Sequence, residues 1–297
     1  MDPLGPIKTQ NLIGGFPMQD GTEPKLVITV TKPEKTGEGI NSYISYLIIT
    51  KTSLPAFSQT EFSVIRRFND FVWLHQHLYE EFPGLVVPPL PEKLLVGRFS
   101  PEFVENRRRA LERFLNRTAA HQELCQSESF KLFLEADDDL LRKRKGADKQ
   151  SKKSRVGGLV QWMNDTVQQV STSFSSTTVE KTAEDLEFEA VSSYIDGLEP
   201  HMQAVFKQAQ GLVQRKQELG NSLFEFGQAF TLLGQAEAGS LGDGMMNMGK
   251  TADALSVHAS RYAEKEAQSF EEPIHDYIRI IGAVKEAMAK RNQKKVC

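Results

Sequence analysis

Leu26, Ile28 and Val30 alternate with polar neighbours over residues 25–31, the period of a half-buried strand. Tyr43 to Thr50, rich in β-branched and aromatic residues, reads as a second strand, and Phe62 to Phe68 as a third. Gly37 and Gly39 mark a turn between the first two. Three short strands joined by turns predict an antiparallel meander. From Asp70 the period becomes helical, with Phe71, Leu74, Leu78 and Phe82 on one face and Gly84 at the end. Pro88, Pro89 and Pro91 force an extended segment. A second helix is predicted from Pro101 to Ala120, with Phe103, Leu111, Phe114 and Leu115 as its stripe, and a third over 128–135. After a Gly- and Pro-rich lead-in over 1–23, these elements make one α+β domain, 24–138.

The pattern then changes. The segment 139–155 reads as a basic linker, with eight Lys or Arg between 142 and 155 against Asp148 alone. As a solvated tether it does nothing further; as an electrostatic patch it attracts anionic lipid. Over 156–175, Leu159, Val160, Trp162, Met163, Val167, Val170 and Phe174 line one face of an amphipathic helix. Such a face lies in a headgroup plane, with Leu159, Trp162 and Met163 inserted, or packs on a neighbouring domain. From 179 to 297 the apolar steps of three and four predict a helix of about 55 residues, kinked at Pro200. The glycine-rich stretch Gly239 to Gly249 breaks the period, and a second long helix starts near Lys250 with a kink at Pro273. A single helix of such length is unstable in water, so its stripe must be buried against partners. Two antiparallel helices leave apolar stripes open, so this reading expects a third helix, either supplied by another molecule or missing because the form is incomplete.

Composition narrows the chemistry. The net charge of -3 excludes a global basic pull, so a nucleic-acid partner is not expected. No apolar run approaches the ~20 residues of a membrane span. The cysteines, Cys125 and Cys297, have no metal-ligand spacing. His75 and His77 do not share a helix face. No phosphate loop, nucleophile elbow or metal motif occurs. The chain is therefore read as a non-enzyme without cofactors.

Three segments carry candidate binding chemistry: Arg66-Arg67-Phe68-Asn69-Asp70, Pro88-Pro89-Leu90-Pro91-Glu92-Lys93, and Arg107-Arg108-Arg109. Arg presents a planar fork of donors that matches phosphate oxygens, and Lys a compact point charge. Taken alone, Arg66 and Arg67 also read as a strand end paired with Asp70 or Glu81. The wording Ser42-Tyr43-Ile44-Ser45-Tyr46, Arg66-Arg67-Phe68-Asn69-Asp70-Phe71-Val72-Trp73-Leu74 and Pro88-Pro89-Leu90-Pro91-Glu92-Lys93 resembles the PX-BAR sorting nexins. The resemblance implies an α+β PX domain with a three-stranded antiparallel sheet, followed by an all-α, long-helix BAR-like region with its C-terminal part shortened. It implies a pocket for phosphatidylinositol 3-phosphate. There Arg67 holds the 3-phosphate with help from Asn69, Phe68 stacks under the inositol ring, Lys93 meets the 1-phosphate and Arg107 reaches the 4- and 5-hydroxyls. Leu94, Leu95, Val96 and Phe99 would form a loop dipping into the bilayer. The implied setting is the cytosolic face of endosomes, with retromer components and a homo- or heterodimer with another sorting nexin as partners. A soluble helical scaffold, with the PX fold as a protein-interaction platform, is the alternative.

Overall fold

The computed structural model describes residues 26–39, 42–93, 98–148, 182–237 and 239–295. The lead-in, the loop residues 94–97 and the expected amphipathic helix at 156–175 lie outside the described residues. The chain divides into two compact units, residues 1–180 with 286–297, and residues 181–285.

In the first unit, β1 (Leu26–Thr36), β2 (Tyr43–Thr52) and β3 (Glu61–Arg67) form an antiparallel meander in the order β1-β2-β3. The alternation read from sequence is kept: Leu26, Ile28 and Val30 are buried between exposed Val27 and Thr29. β1 runs on past Thr31 because a bulge between Thr31 and Glu34 absorbs Lys32 and Pro33. Proline has no N–H for the ladder, and Lys32 takes a φ of 46° to pass it.

β1 is an edge strand, and a later helix protects it. α1 (Phe68–Glu81) and α2 (Pro101–Ala120) follow the sheet. Along one face of α2, Arg108, Glu112 and Asn116 recur every four residues. Asn116 accepts from the Ile28 N–H at 3.1 Å and donates to the Ile28 carbonyl at 2.7 Å. Glu112 accepts from the Val30 N–H at 2.8 Å, and Arg108 donates to the Val30 carbonyl at 2.6 Å. Side chains thus complete part of the hydrogen-bonding that a missing fourth strand would supply.

The core between sheet and helices holds Ile28, Ile48, Phe71, Leu74, Leu78, Leu111, Phe114, Leu115 and residues of α3 (Glu128–Glu135). Phe71 meets Phe133 edge-on at 5.0 Å. Arg66, 1% exposed, projects from β3 into this layer. Its guanidinium donates to the carbonyls of Phe133 at 2.9 Å, Ile65 at 3.0 Å, and Ala136. It therefore neutralises the C-terminal end of α3. Burial lowers its pKa, opposed by Asp70, Asp138 and Asp137.

The basic stretch is not a tether where it begins. Residues 138–148 form a helix, α4, whose Leu141 is buried in the domain core. Arg142, Lys143 and Arg144 stay in solvent while Lys145 and Asp148 are half-buried, and a single apolar anchor is easily hidden in such a charge run.

In the second unit, α5 (Ala183–Ala236) and α6 (Ser240–Glu266) form a hairpin. A turn of π-helix (Ala267–Glu271) leads into α7 (Glu272–Lys295), with Pro273 in its first turn. The glycine-rich stretch does not interrupt the helix, contrary to the sequence reading; α6 starts at Ser240, before the expected Lys250. The glycines face the partner helix. A Cβ on Gly234 would lie 2.7 Å from the Gly242 carbonyl, and one on Gly227 would lie 2.9 Å from that of Gly249. A Cβ on Gly220 would lie 2.8 Å from Ser260 Oγ and 3.4 Å from the Ser256 carbonyl. The small positions recur every seven residues on both helices, so the backbones pack where larger side chains would collide.

One position before each small residue stands a large apolar one. Leu219, Phe226 and Leu233 on α5, and Leu241, Met248, Leu255 and Tyr262 on α6, are exposed; Val205 and Leu212 continue the α5 column, ahead of Phe206 and Val213. In an antiparallel pair, equal offsets from the facing position turn toward the same side. The hairpin thus presents two apolar columns on one side. No helix among the described residues is long and apolar enough to cross a membrane.

Candidate phosphate-binding site

Arg67 ends β3 and stands at the N-cap of α1. Phe68 and Asn69 therefore occupy the first turn, where backbone N–H groups lack helical acceptors and the dipole favours an anion. The helix begins at Phe68, ahead of Asp70, which was expected to open it; Asp70 instead caps the turn. Its Oδ2 accepts from the Arg67 backbone N–H at 2.8 Å, and its Oδ1 lies 3.8 Å from Arg67 Nε. The Arg67 side chain remains 46% exposed, and its guanidinium faces the Tyr43 ring at 5.5 Å.

The proline segment brings in the second cation. Val87 and Pro91 are buried, which pins the strap and leaves Lys93 exposed at its end. Arg107 comes from α2. It is buried, with its guanidinium 4.3 Å from the Phe68 ring and 4.2 Å from Phe103. Its Nη2 donates to the Glu92 carbonyl at 2.7 Å, which ties α2 to the residue before Lys93. Burial lowers the Arg107 pKa. Burial also pushes the neighbouring Tyr46 phenol up to about 12, with Arg107 opposing.

The three segments singled out in the sequence thus converge. Arg67, Asn69 and Lys93 line one cavity of about 340 Å³, whose other walls include Trp73, His77 and Lys145. Phe68 and Arg107 stack on each other, so one face of the Phe68 ring is taken by the guanidinium. A second cavity, of about 270 Å³, touches Arg67 but is lined by Glu34, Asp70 and Asp138. There three carboxylates outnumber Arg67 and Arg142, whereas the first cavity sets Arg67, Lys93 and Lys145 against Asp148, so the first is the one whose charge suits an anion.

Phe99, from the expected insertion loop, is half-buried, with Lys35 at 4.9 Å and Arg98 at 4.8 Å over its ring. Leu94, Leu95 and Val96 of that loop lie outside the described residues, as do Leu159, Trp162 and Met163. Tyr43 and Lys145 were missed by sequence reasoning. Tyr43 stood among the strand residues, and Lys145 was one of eight bases in a single run. Among the described residues, no cluster of His, Cys, Asp and Glu could hold a metal ion.

The PX domain family matches residues 54–137, and the family described as Vps5 C terminal like matches 163–294. Sorting nexin 1 of Arabidopsis thaliana is 40% identical over 288 residues, covering 95% of this chain and 71% of that protein. Sorting nexin-7 of Homo sapiens is 31% identical over 296 residues, covering 98% and 73%. The cryo-EM structure of the SNX-BAR Mvp1 tetramer matches with a TM-score of 0.62 at 17% identity, covering 91% of this chain and 73% of that one. At that identity it speaks for the fold alone.

Proposed function

The chain belongs to the sorting nexin family, combining a PX domain with a BAR-type helical region, and from that premise we propose that it is a peripheral protein of endosomal membranes that binds phosphatidylinositol 3-phosphate. The observation that carries this reading is the meeting of Arg67, Asn69 and Lys93 in one cavity beside the Phe68–Arg107 stack. Arg67 takes the 3-phosphate at the start of α1, where the helix end adds its own attraction. Lys93 takes the 1-phosphate. Arg107, held by the Glu92 carbonyl and two rings, reads the 4- and 5-hydroxyls. The protein binds and positions; it transforms nothing.

The second unit adds assembly. Its two exposed apolar columns support dimerisation with the same chain or another sorting nexin, and so a role in retromer-linked sorting and membrane remodelling. A dimer holds two headgroup pockets, and paired weak contacts give avidity that one lacks. The same columns favour a second reading, a soluble helical scaffold. Flotation separates the two. Wild-type chain should float with vesicles containing phosphatidylinositol 3-phosphate, and Arg67→Ala should not. Equal flotation of both, or of neither, removes the lipid reading and leaves the scaffold.

A further inference from the structure

We propose that Lys145 is a further cation of the headgroup pocket and contacts the same phosphate as Arg67. The inference rests on the phosphoinositide reading above and extends the pocket to α4, an element outside the three segments.

The argument starts from Asp70. Its Oδ1 is contacted by the Lys145 ammonium and lies 3.8 Å from Arg67 Nε. Two cations on one oxygen atom are close enough for a single phosphate, with its three spread oxygens, to touch both. Lys145 also lines the cavity that Arg67, Asn69 and Lys93 line, and its ammonium lies 3.4 Å from the Asn69 carbonyl. One carboxylate against two cations leaves positive charge to be met. A phosphate monoester, carrying about -1.5 to -2 near neutral pH, meets it.

Lys145 is also held in place before any ligand arrives. Its side chain is 16% exposed. α4 is anchored by buried Leu141 at one end. At the other end Asp148 accepts from the Trp73 indole N–H at 2.9 Å and lies 3.1 Å from His77 Nε2. Little side-chain freedom remains to be lost on binding, which distinguishes Lys145 from the exposed bases beside it.

The test uses the full chain with Lys145→Met and Lys145→Arg, read by calorimetry with soluble inositol 1,3-bisphosphate and with inorganic phosphate. Vesicles carrying phosphatidylinositol 3-phosphate, or phosphatidylserine at equal charge, give the membrane arm. Lys145→Met should weaken inositol 1,3-bisphosphate and phosphatidylinositol 3-phosphate vesicles by roughly tenfold, the worth of one charged hydrogen bond. Lys145→Arg should stay within about threefold of wild type, and phosphatidylserine binding within about twofold. Should Lys145→Met melt below the assay temperature, Lys145→Gln, which still donates to Asp70, carries the same expectation. Unchanged headgroup affinity, or a loss confined to phosphatidylserine vesicles, overturns the proposal. So does inorganic phosphate binding as tightly as the headgroup, which would make this a free-phosphate site. Loss on Arg67→Ala with none on Lys145→Met sinks Lys145 alone; no loss on Arg67→Ala sinks the underlying lipid reading.

Discussion

Arg66 and Arg67 are neighbours with opposite work, and replacing each separates stability from binding. Arg66→Met removes three hydrogen bonds from a guanidinium that is 1% exposed. Each bond from a charged donor contributes about 1.5–3 kcal/mol, and the carbonyls of Phe133 and Ala136 lose a partner at a helix end. Against this, methionine keeps most of the apolar stem, and the desolvation penalty of the buried charge disappears. The net follows the usual cost of breaking a buried charged contact, about 3–5 kcal/mol. At an m-value near ~2 kcal/mol/M the urea midpoint should fall by about 2 M. The chain has two tryptophans, so the titration is followed by Trp73 fluorescence in a Trp162→Phe background. Arg67→Ala should move that midpoint by less than about 0.5 kcal/mol equivalent, because its side chain is half in solvent. In native buffer the order inverts: Arg66→Met keeps vesicle binding and Arg67→Ala loses it. Equal midpoint shifts for the two variants, or a shift below about 1 kcal/mol for Arg66→Met, would refute the reasoning.

Asn116→Ala strips partners from both the N–H and the carbonyl of Ile28, and should lower stability by about 2 kcal/mol in a thermal melt. Gly227→Ala should destabilise the hairpin, since its Cβ would sit 2.9 Å from the Gly249 carbonyl. Gly211→Ala, with open space around it, should instead stabilise by about 0.5–1 kcal/mol; circular dichroism melts read both signs. Burial lowers the His75 pKa. Its contribution to stability is therefore complete above the unfolded value near ~6.5 and is lost as pH falls through and below it. His75→Phe should flatten that acid limb in urea midpoints taken across the pH range.

Much of the fold was legible because local signals agreed. The alternation of Leu26, Ile28 and Val30 gave a strand face, and Pro101 marked the start of α2. The errors have physical causes. Asp70 looked like a helix opener, but it works from the third position, closing on the Arg67 N–H. Gly242 and Gly249 weaken a lone helix, and only the facing glycines show why they sit inside one. Leu141 was a single apolar residue in a run of charges, so α4 was read as linker. Arg67, Asn69 and Lys93, which share a cavity, and Phe68 and Arg107, which stack on each other, could be singled out because three short segments each bring their own chemistry. Lys145 was not, since nothing in a basic run tells which member turns inward.

The seven-residue repeat of small positions has a consequence for how the hairpin finds its alignment. Gly234 faces Gly242, Gly227 faces Gly249 and Gly220 faces Ser256. Sliding one helix by seven residues would again set small against small, so the helices alone define a ladder of equivalent rungs. What selects one rung is the tight connection between Ala236 and Ser240, where Gly239 takes a φ of 77° that other residues rarely adopt. Alignment of the long arm is thus decided by a few atoms at its tip, and lengthening that tip would free the helices to settle on a neighbouring rung.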